Sequence, residues 1–207
     1  MKFPSENDMN LSNFMSGYMN EIQKGFESID IANLEKIVDV LNLAIKRNST
    51  IFTCGNGGSS SIAEHFVCDF LKGASASTTI QPIIHSLSSC SPTVTAVAND
   101  IGYDDVFSYQ LERYGKVGDI LLCVSSSGNS QNILKALSTA KSKKIETISF
   151  VGFSGGGAID LSDNYIHISN KNYGIIEDIH HSLMHILAQY LKLKNLNDIK
   201  NVADTVF

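Results

Sequence analysis

The chain has 207 residues, of which 43% are hydrophobic and 18% charged, with a formal net charge of −5, four cysteines and no tryptophan. A chain of this length buries enough surface to hold a core without disulfides or a structural metal, which excludes a mainly disordered protein. With 16 basic against 21 acidic residues, we exclude a nucleic-acid surface that works by neutralising phosphates.

The four cysteines, Cys54, Cys68, Cys90 and Cys123, are widely spaced and form no Cys-x-x-Cys pair. We interpret them as buried small residues of a protein from a reducing compartment. The first residues contain no apolar leader, and no apolar run approaches the ~18 residues of a membrane span. We therefore expect a cytoplasmic protein without a membrane partner.

Apolar residues at helical spacing predict two helices at the start of the chain, around Met15 to Phe26 and around Leu34 to Ala44. No strand is predicted between them, so they should pack on each other or on another subunit. We assign residues 1–48 to an N-terminal helical segment with a role in oligomerisation, and residues 49–207 to one α/β domain.

From residue 49 onward, short apolar segments alternate with helical patterns. The predicted strands are Thr50–Cys54, Ile83–Leu87, Ile120–Val124, Thr147–Val151 and Tyr165–Ile168. The predicted helices are Ser60–Leu71, Ser91–Ala98, Asp105–Tyr114, Ser130–Lys143 and Ile176–Lys192. This alternation predicts a doubly wound, Rossmann-like α/β fold with an open sheet of about five parallel strands. Ligands bind such sheets at the carboxyl ends of the strands, where the strand order reverses.

The loop after the first predicted strand, residues 55–61, reads Gly-Asn-Gly-Gly-Ser-Ser-Ser and leads directly into a helix. Glycines let backbone amides approach an anion, and a helix N-terminus supplies unpaired donors and partial positive charge. The loop indicates a phosphate or sugar cradle, although a tight turn alone explains it about as well. It matches neither of the glycine-rich nucleotide patterns, which disfavours a nucleotide ligand.

The loop after the third predicted strand, residues 125–130, reads Ser-Ser-Ser-Gly-Asn-Ser and also leads into a helix. Clustered hydroxyls and free backbone amides at a helix start can bind a phosphate monoester without a basic residue. Capping of the helix would require one serine only. Together, the two loops favour a phosphorylated ligand.

Two pairs of polar residues have helical spacing: His65 with Asp69, and Glu177 with His180. One such pair is usually incidental, but two pairs together provide four metal ligands. We therefore favour a functional role for Glu177 and His180. In contrast, we expect His181 and His185 to be structural histidines of the core or an interface, and we give His85 and His167 the same structural interpretation.

Five motifs, met in order between about Phe14 and Leu191, resemble those of the phosphoheptose isomerases. These sugar isomerase (SIS) domain enzymes interconvert sedoheptulose 7-phosphate and D-glycero-D-manno-heptose 7-phosphate. The motifs are Gly55-Asn56-Gly57-Gly58-Ser59, Ala63-x-His65-Phe66, Asn99-Asp100-x-Gly102-Tyr103, Ser125-Ser126-Ser127-Gly128-Asn129-Ser130, and Ile179-His180 with His185.

The resemblance implies a homotetramer with active sites where subunits meet, and a role in the first steps of heptose synthesis for lipopolysaccharide or capsule. It implies one zinc ion per subunit, held by His65, Asp69, Glu177 and His180. It implies sugar contacts from Asn56, Gly57, Gly58, Ser59, Asn99, Asp100 and Glu177. It implies phosphate contacts from Ser125, Ser126, Ser127 and Ser130.

Three positions depart from the pattern of the family. Asp69 stands where the family commonly has Glu, Glu177 where it has Gln, and Ile62 where it often has Asp. We expect Asp69, sharing the work with Glu177, to move the proton between carbons through an enediol, and His180 to act as the complementary acid or base. A bound zinc would polarise the oxygens as a Lewis acid.

Two other interpretations stay open. Some relatives with one SIS domain are non-catalytic tetramers that bind a replication-initiator protein; the presence of His65 and His180 argues against this reading, whereas Asp69 and Ile62 keep it open. Alternatively, the protein isomerises a different sugar phosphate.

Overall fold

The computed structural model describes residues 3–197 of the chain. Its α-helices are α1 Leu11–Glu27, α2 Ile31–Lys46, α3 Gly58–Cys68, α4 Ser91–Asp100, α5 Ser108–Tyr114, α6 Gln131–Ser142, α7 Gly156–Leu161 and α8 Tyr173–Lys194. Its strands are β1 Thr50–Gly55, β2 Ile83–Ser86, β3 Ile120–Ser125, β4 Glu146–Val151 and β5 Asn164–His167. A π-helical turn, Asp69–Ala74, continues α3.

The five strands form one parallel sheet in the order β2-β1-β3-β4-β5. The doubly wound α/β fold is therefore confirmed, and each predicted strand ends within one residue of the observed one. Helix α7 is the element that the sequence analysis missed. It begins at Gly156, directly after Gly155. Both glycines have positive φ, and glycines are typical of a turn rather than a helix start.

Strand β3 shows how the sheet separates two apolar layers. Leu122 and Val124 face one layer, which contains residues of α2, α3 and α8. Leu121 and Cys123 face the other layer, which contains residues of α5 and α6. A strand that is buried on both faces has no polar alternation, which is why it appears in the sequence as a continuous apolar run.

The strand order reverses between β1 and β3. Gly55 of β1 lies opposite Val124 of β3, so the loops that follow these two strands begin side by side. These are the glycine loop and the serine loop, and a crevice at this kind of reversal is where doubly wound sheets bind ligands.

The N-terminal helices pack onto the layer that contains α8. Ile37 and Leu41 of α2 belong to the same buried cluster as Ile51 of β1. Gly25 of α1 lies so close to Ile179 of α8 that a Cβ at this glycine would collide with the isoleucine. Residues 3–48, the described part of the N-terminal segment, thus share a core with the sheet, and the role of the segment in oligomerisation stays a prediction.

The expectation of four buried cysteines is wrong for two of them. Cys54 and Cys123 are buried on adjacent strands with their sulfurs 3.5 Å apart. Cys68 and Cys90 are exposed, because Cys68 ends α3 on its solvent side and Cys90 is the N-cap of α4.

Within residues 3–197, no helix combines the length and the apolar character that crossing a bilayer requires.

Candidate active site

The glycine loop brings backbone amides and Glu177 together. Gly57 has φ +54°, a conformation that favours glycine, and α3 begins at the next residue, Gly58. A Cβ on Gly58 would collide with the carboxylate of Glu177, which reaches over from α8. The glycine at this position therefore lets the carboxylate approach the amino end of α3.

Asn56 is held in place by a network of hydrogen bonds. Its Nδ2 donates to Oδ1 of Asn132, and Nδ2 of Asn132 donates back to Oδ1 of Asn56, both at 2.9 Å. The hydroxyl of Tyr103 donates to the same Oδ1 at 2.9 Å. The sequence analysis did not predict Asn132 as a site residue, although it lies on α6 directly after the serine loop.

A small cavity of about 140 Å³ lies between the two loops. Its polar lining is mostly hydroxyl, and Tyr173 and Glu177 of α8 close one side. The residues that line it are Asn56, Ser59, Val124, Ser125, Ser126, Ser127, Ser130, Tyr173 and Glu177. The structure thus brings together seven of the residues predicted to bind the sugar or its phosphate.

The serine hydroxyls of this cavity differ in their hydrogen bonding. The hydroxyl oxygens of Ser125 and Ser127 accept backbone amides of their own loop at 3.2 Å. The hydroxyl of Ser126 is buried and has no partner among the described residues. Because an unpaired buried hydroxyl is unfavourable, Ser126 is well suited to a polar ligand.

Asn99 and Asp100 are not part of this cavity. They lie at the end of α4, where Nδ2 of Asn99 donates to Asp100 at 2.7 Å. Asp100 lines a separate cavity beside α4. Their predicted contact with the sugar stays a prediction. Ile62 is buried in the apolar core, so it has no direct part in the site.

A stripe of polar side chains runs along the contact between α3 and α8. Glu177, His181 and His185 follow one another at intervals of four residues, which places them on one face of α8. Glu177 lies beside Gly58, His181 beside His65, and His185 beside Asp69. The stripe therefore leads from the serine cavity to a cluster of imidazoles around Asp69.

Asp69 lies between two of these imidazoles. Its Oδ2 is 2.7 Å from Nδ1 of His185, and its Oδ1 is 3.3 Å from Nε2 of His65. Nδ1 of His65 is 2.7 Å from Nε2 of His181. All four side chains are partly exposed, so a small ligand or ion can reach them.

His180 does not join this cluster, which corrects the predicted metal and acid–base role. Its side chain is fully buried, Nε2 lies 3.3 Å from the carbonyl oxygen of Val151, and its ring packs on Phe150. Burial lowers the pKa of His180 to about 4. One residue along a helix turns a side chain by about 100°, so His180 faces the sheet while His181 faces α3.

The same geometry contradicts the core alternative for His181 and His185, whereas the interface alternative stays a prediction. Both face the cluster instead of the core, and His185 makes the short contact with Asp69. Burial, together with the neighbouring His65 and His185, lowers the pKa of His181. A lower pKa favours the neutral imidazole, which is the form that can bind a metal.

Glu177 has an electrostatic environment suited to proton transfer. Burial and the nearby charge of Asp178 raise the pKa of its carboxyl group. A raised pKa makes the carboxylate a better proton acceptor, and perturbed groups of this kind are concentrated in functional sites.

Among residues 3–197, two groups of side chains have the geometry to hold a metal ion. In each group, one ligand atom per residue lies within 4.8 Å of the others. The first group is His65, His181 and His185, and the second is His65, Cys68 and Asp69. Imidazole nitrogens, thiolates and carboxylates are the ligands that zinc takes in proteins, so the residues present fit that ion.

Comparison with known proteins gives consistent matches over most of the chain. A model of the SIS domain family matches residues 16–152. The phosphoheptose isomerase of Synechocystis sp. is 31% identical over 88% of this chain and 93% of its own. That of Helicobacter pylori (strain P12) is 35% identical over 83% of this chain and 88% of its own. The solved structure of a phosphoheptose isomerase from Francisella tularensis has a TM-score of 0.81 and 26% identity, and covers 88% of this chain and 97% of that one.

Proposed function

Because this chain belongs to the SIS domain family and, within it, to the phosphoheptose isomerases, we propose that it interconverts sedoheptulose 7-phosphate and D-glycero-D-manno-heptose 7-phosphate. The observation that carries the proposal is the cavity between the two loops, where serine hydroxyls and a carboxylate with a raised pKa lie together. The serine hydroxyls and the backbone amides at the start of α6 can donate hydrogen bonds to a phosphate. The carboxylate can accept the proton that an aldose–ketose isomerase must remove from carbon.

The reaction moves one proton between adjacent carbons of the sugar. A base removes a proton from C1 of the ketose while the oxygen on C2 gains one, which gives an enediol. The proton then returns to C2, and the oxygen on C1 loses its proton to form the aldehyde. No redox partner is needed, because the two carbons exchange oxidation states.

We assign the carbon base to Glu177. It lines the cavity that is proposed to hold the phosphorylated sugar, whereas each oxygen of Asp69 already faces an imidazole. This reverses the order expected from the sequence, in which Asp69 led and Glu177 assisted. His185, which lies on the same face of α8 as Glu177, takes the acid–base role that the sequence analysis gave to His180.

Zinc, one ion per subunit, is our proposal for the metal of the imidazole cluster. When bound, it supplies a Lewis acid that polarises the carbonyl and hydroxyl oxygens. Asp69 then holds the imidazoles in orientation through its two contacts.

We also propose a homotetramer in the cytoplasm that serves heptose synthesis for lipopolysaccharide or capsule. Exposed apolar residues on α1, including Met15 and Met19, support an interface between subunits. Free cysteines support a reducing compartment.

Turnover of sedoheptulose 7-phosphate by Glu177→Gln tests the assignment of the base, because this variant removes the carboxylate and keeps the shape of the side chain. If Glu177 is the base, kcat falls by about 100- to 10,000-fold. Glu64→Gln, an equivalent change at an exposed position of α3, should keep the wild-type rate. A fully active Glu177→Gln together with an inactive Asp69→Asn would return the base to Asp69.

The non-catalytic alternative has its own test. If the wild-type protein turns over no seven-carbon sugar phosphate but captures a replication-initiator protein from solution, the isomerase proposal is wrong. Turnover of another sugar phosphate at a higher kcat/KM would change the substrate and keep the reaction.

A further inference from the structure

The side chains of Asn56 and Asn132 form a closed pair of amides that joins the glycine loop to α6. Each Nδ2 donates to the Oδ1 of the other side chain at 2.9 Å. The hydroxyl of Tyr103 donates to Oδ1 of Asn56, also at 2.9 Å. An amide oxygen has two lone pairs and an amide nitrogen has two hydrogens. Both lone pairs of Oδ1 are therefore occupied, and the side chain of Asn56 keeps one N–H that has no acceptor among residues 3–197.

The remaining N–H determines what Asn56 can offer to a ligand. Asn56 is half-buried and lines the cavity between the two loops, whereas Asn132 is 2% exposed. An amide whose oxygen is fully occupied can only donate, so its ligand must be an oxygen that accepts. In the proposed function the serine hydroxyls and the amides of α6 bind the phosphate. The N–H of Asn56 is then left for a carbonyl or hydroxyl oxygen of the sugar.

The segment that carries Tyr103 is anchored to α6. Tyr103 begins a short 3-10 helix that ends at Asp105, and Oδ2 of Asp105 lies 2.9 Å from Nζ of Lys135. Lys135 is three residues after Asn132 and lies on the same side of α6. One face of α6 thus contacts the amide of the glycine loop directly and also holds the segment whose tyrosine contacts it.

We propose that Asn132 and Tyr103 are positioning residues that lock the amide of Asn56 as a hydrogen-bond donor to a sugar oxygen of the substrate. The last torsion of an asparagine side chain is soft. Without its two partners, the amide is free to turn its own oxygen toward the cavity, where it would repel the lone pairs of the ligand. The inference rests on the proposed function for the class of substrate, and on the three hydrogen bonds for the lock.

The competing interpretation gives the three hydrogen bonds a structural role only. They would then stabilise the contact between the glycine loop and α6, and their loss would lower the free energy of unfolding without acting through Asn56. Tyr103 argues against this interpretation, because its side chain is 55% exposed and contributes little apolar burial to the core. The two interpretations therefore differ in whether the effects of Tyr103 and Asn132 depend on Asn56.

The test is a set of double-mutant cycles on kcat/KM for sedoheptulose 7-phosphate, measured with the full-length protein. Tyr103→Phe removes one neutral hydrogen bond, so we expect a loss of about 5-fold. Asn132→Leu removes two hydrogen bonds at similar volume and frees the amide, so we expect a loss of about 10- to 100-fold. In the background of Asn56→Ala, neither change should have a further effect, because both residues act through that amide.

Inhibition by inorganic phosphate separates the sugar from the phosphate. Its inhibition constant should stay at the wild-type value in Tyr103→Phe and Asn132→Leu, because the lost donor serves the sugar. Two matched controls should keep the wild-type kcat/KM. Tyr114→Phe changes a tyrosine of similar exposure, 60%, and Asn195→Leu changes a buried amide with two hydrogen bonds at the end of α8. Circular dichroism confirms that each variant is folded.

Three outcomes would overturn the inference alone: wild-type kcat/KM in Tyr103→Phe, losses that persist in full in the background of Asn56→Ala, or an equal loss of affinity for inorganic phosphate. If Asn132→Leu does not fold, the cycle of Tyr103 with Asn56 decides by the same criteria. A wild-type protein that turns over no sugar phosphate would refute the proposed function and this inference with it, so the two failures are distinguishable.

Discussion

At the scale of the residue, the neighbours His180 and His181 have opposite environments. His180 has no solvent exposure and contacts the sheet, whereas His181 contacts the imidazole of His65 on α3. The helical period already separates them: His180 lies four residues after Ile176 and three before Leu183, which places it on the apolar face, whereas His181 lies about 100° further round the helix. The sequence analysis gave more weight to the pairing of Glu177 with His180 than to this period.

His180 should make folding stability depend on pH. Its pKa is about 4 in the folded protein against an ordinary 6.5, so the unfolded chain binds the proton first as the pH falls. Stability should therefore decrease between about pH 6.5 and pH 4, by on the order of 3 kcal/mol from this group alone. Urea unfolding across this range measures the slope.

The matched comparison uses two variants. His180→Gln should be less stable than the wild type at pH 7 but lose less stability toward pH 4, whereas His85→Gln, at an exposed site, should keep the wild-type slope. An unchanged slope in His180→Gln would show that other groups cause the pH dependence.

At the scale of the element, the sequence predicted the strands more accurately than the site. Buried parallel strands have apolar runs bounded by glycine, serine or aspartate, and these runs mark their ends within a residue. The same apolar runs also located the glycine and serine loops, because each loop directly follows a predicted strand, β1 or β3. The pairing of α3 with α8 is a contact between segments more than 100 residues apart, and no local pattern encodes it.

Gly58 tests the packing of α3 against α8. Gly58→Ala places a methyl group where the carboxylate of Glu177 lies, and the flexible side chain moves more easily than the backbone. We expect a stability change below about 1 kcal/mol and a kcat loss of at least about 10-fold, since a misplacement near 1 Å can cost about 100-fold. Thermal unfolding and steady-state kinetics measure the two effects.

Gly73 provides the control for this substitution. A Cβ there meets nothing within 4 Å, so Gly73→Ala should leave kcat unchanged. Equal kinetics for the two alanine variants would mean that the close approach of Glu177 to Gly58 has no part in the reaction.

At the scale of the whole molecule, α1 presents an apolar surface to solvent. Leu11 is 82% exposed, Met15 63% and Met19 59%, although one face of the same helix packs on α8. Contiguous exposed apolar residues of this kind mark interaction surfaces. The net charge of −5 excludes only a polyanion surface, because the serine cavity supplies local donors for one phosphate.

The proposed tetramer predicts a mass in solution of four times the 22.5 kDa chain. Met15→Glu should shift this mass to smaller species in light scattering without loss of helix content, because it introduces a charge into the apolar surface. Asn20→Glu, with the same added charge on another side of α1, should keep the tetramer. A wild-type protein with the mass of one chain would refute the assembly.

The most direct test of the isomerase account is deuterium exchange during the conversion of sedoheptulose 7-phosphate in D₂O. An enediol mechanism with Glu177 as the base predicts an aldose product with deuterium on C2 for the wild type, to the extent that the proton on the carboxyl group exchanges with solvent before it is delivered to C2. For Glu177→Gln it predicts neither product nor exchange above background. Equal rates of product formation and exchange in the two proteins would contradict it.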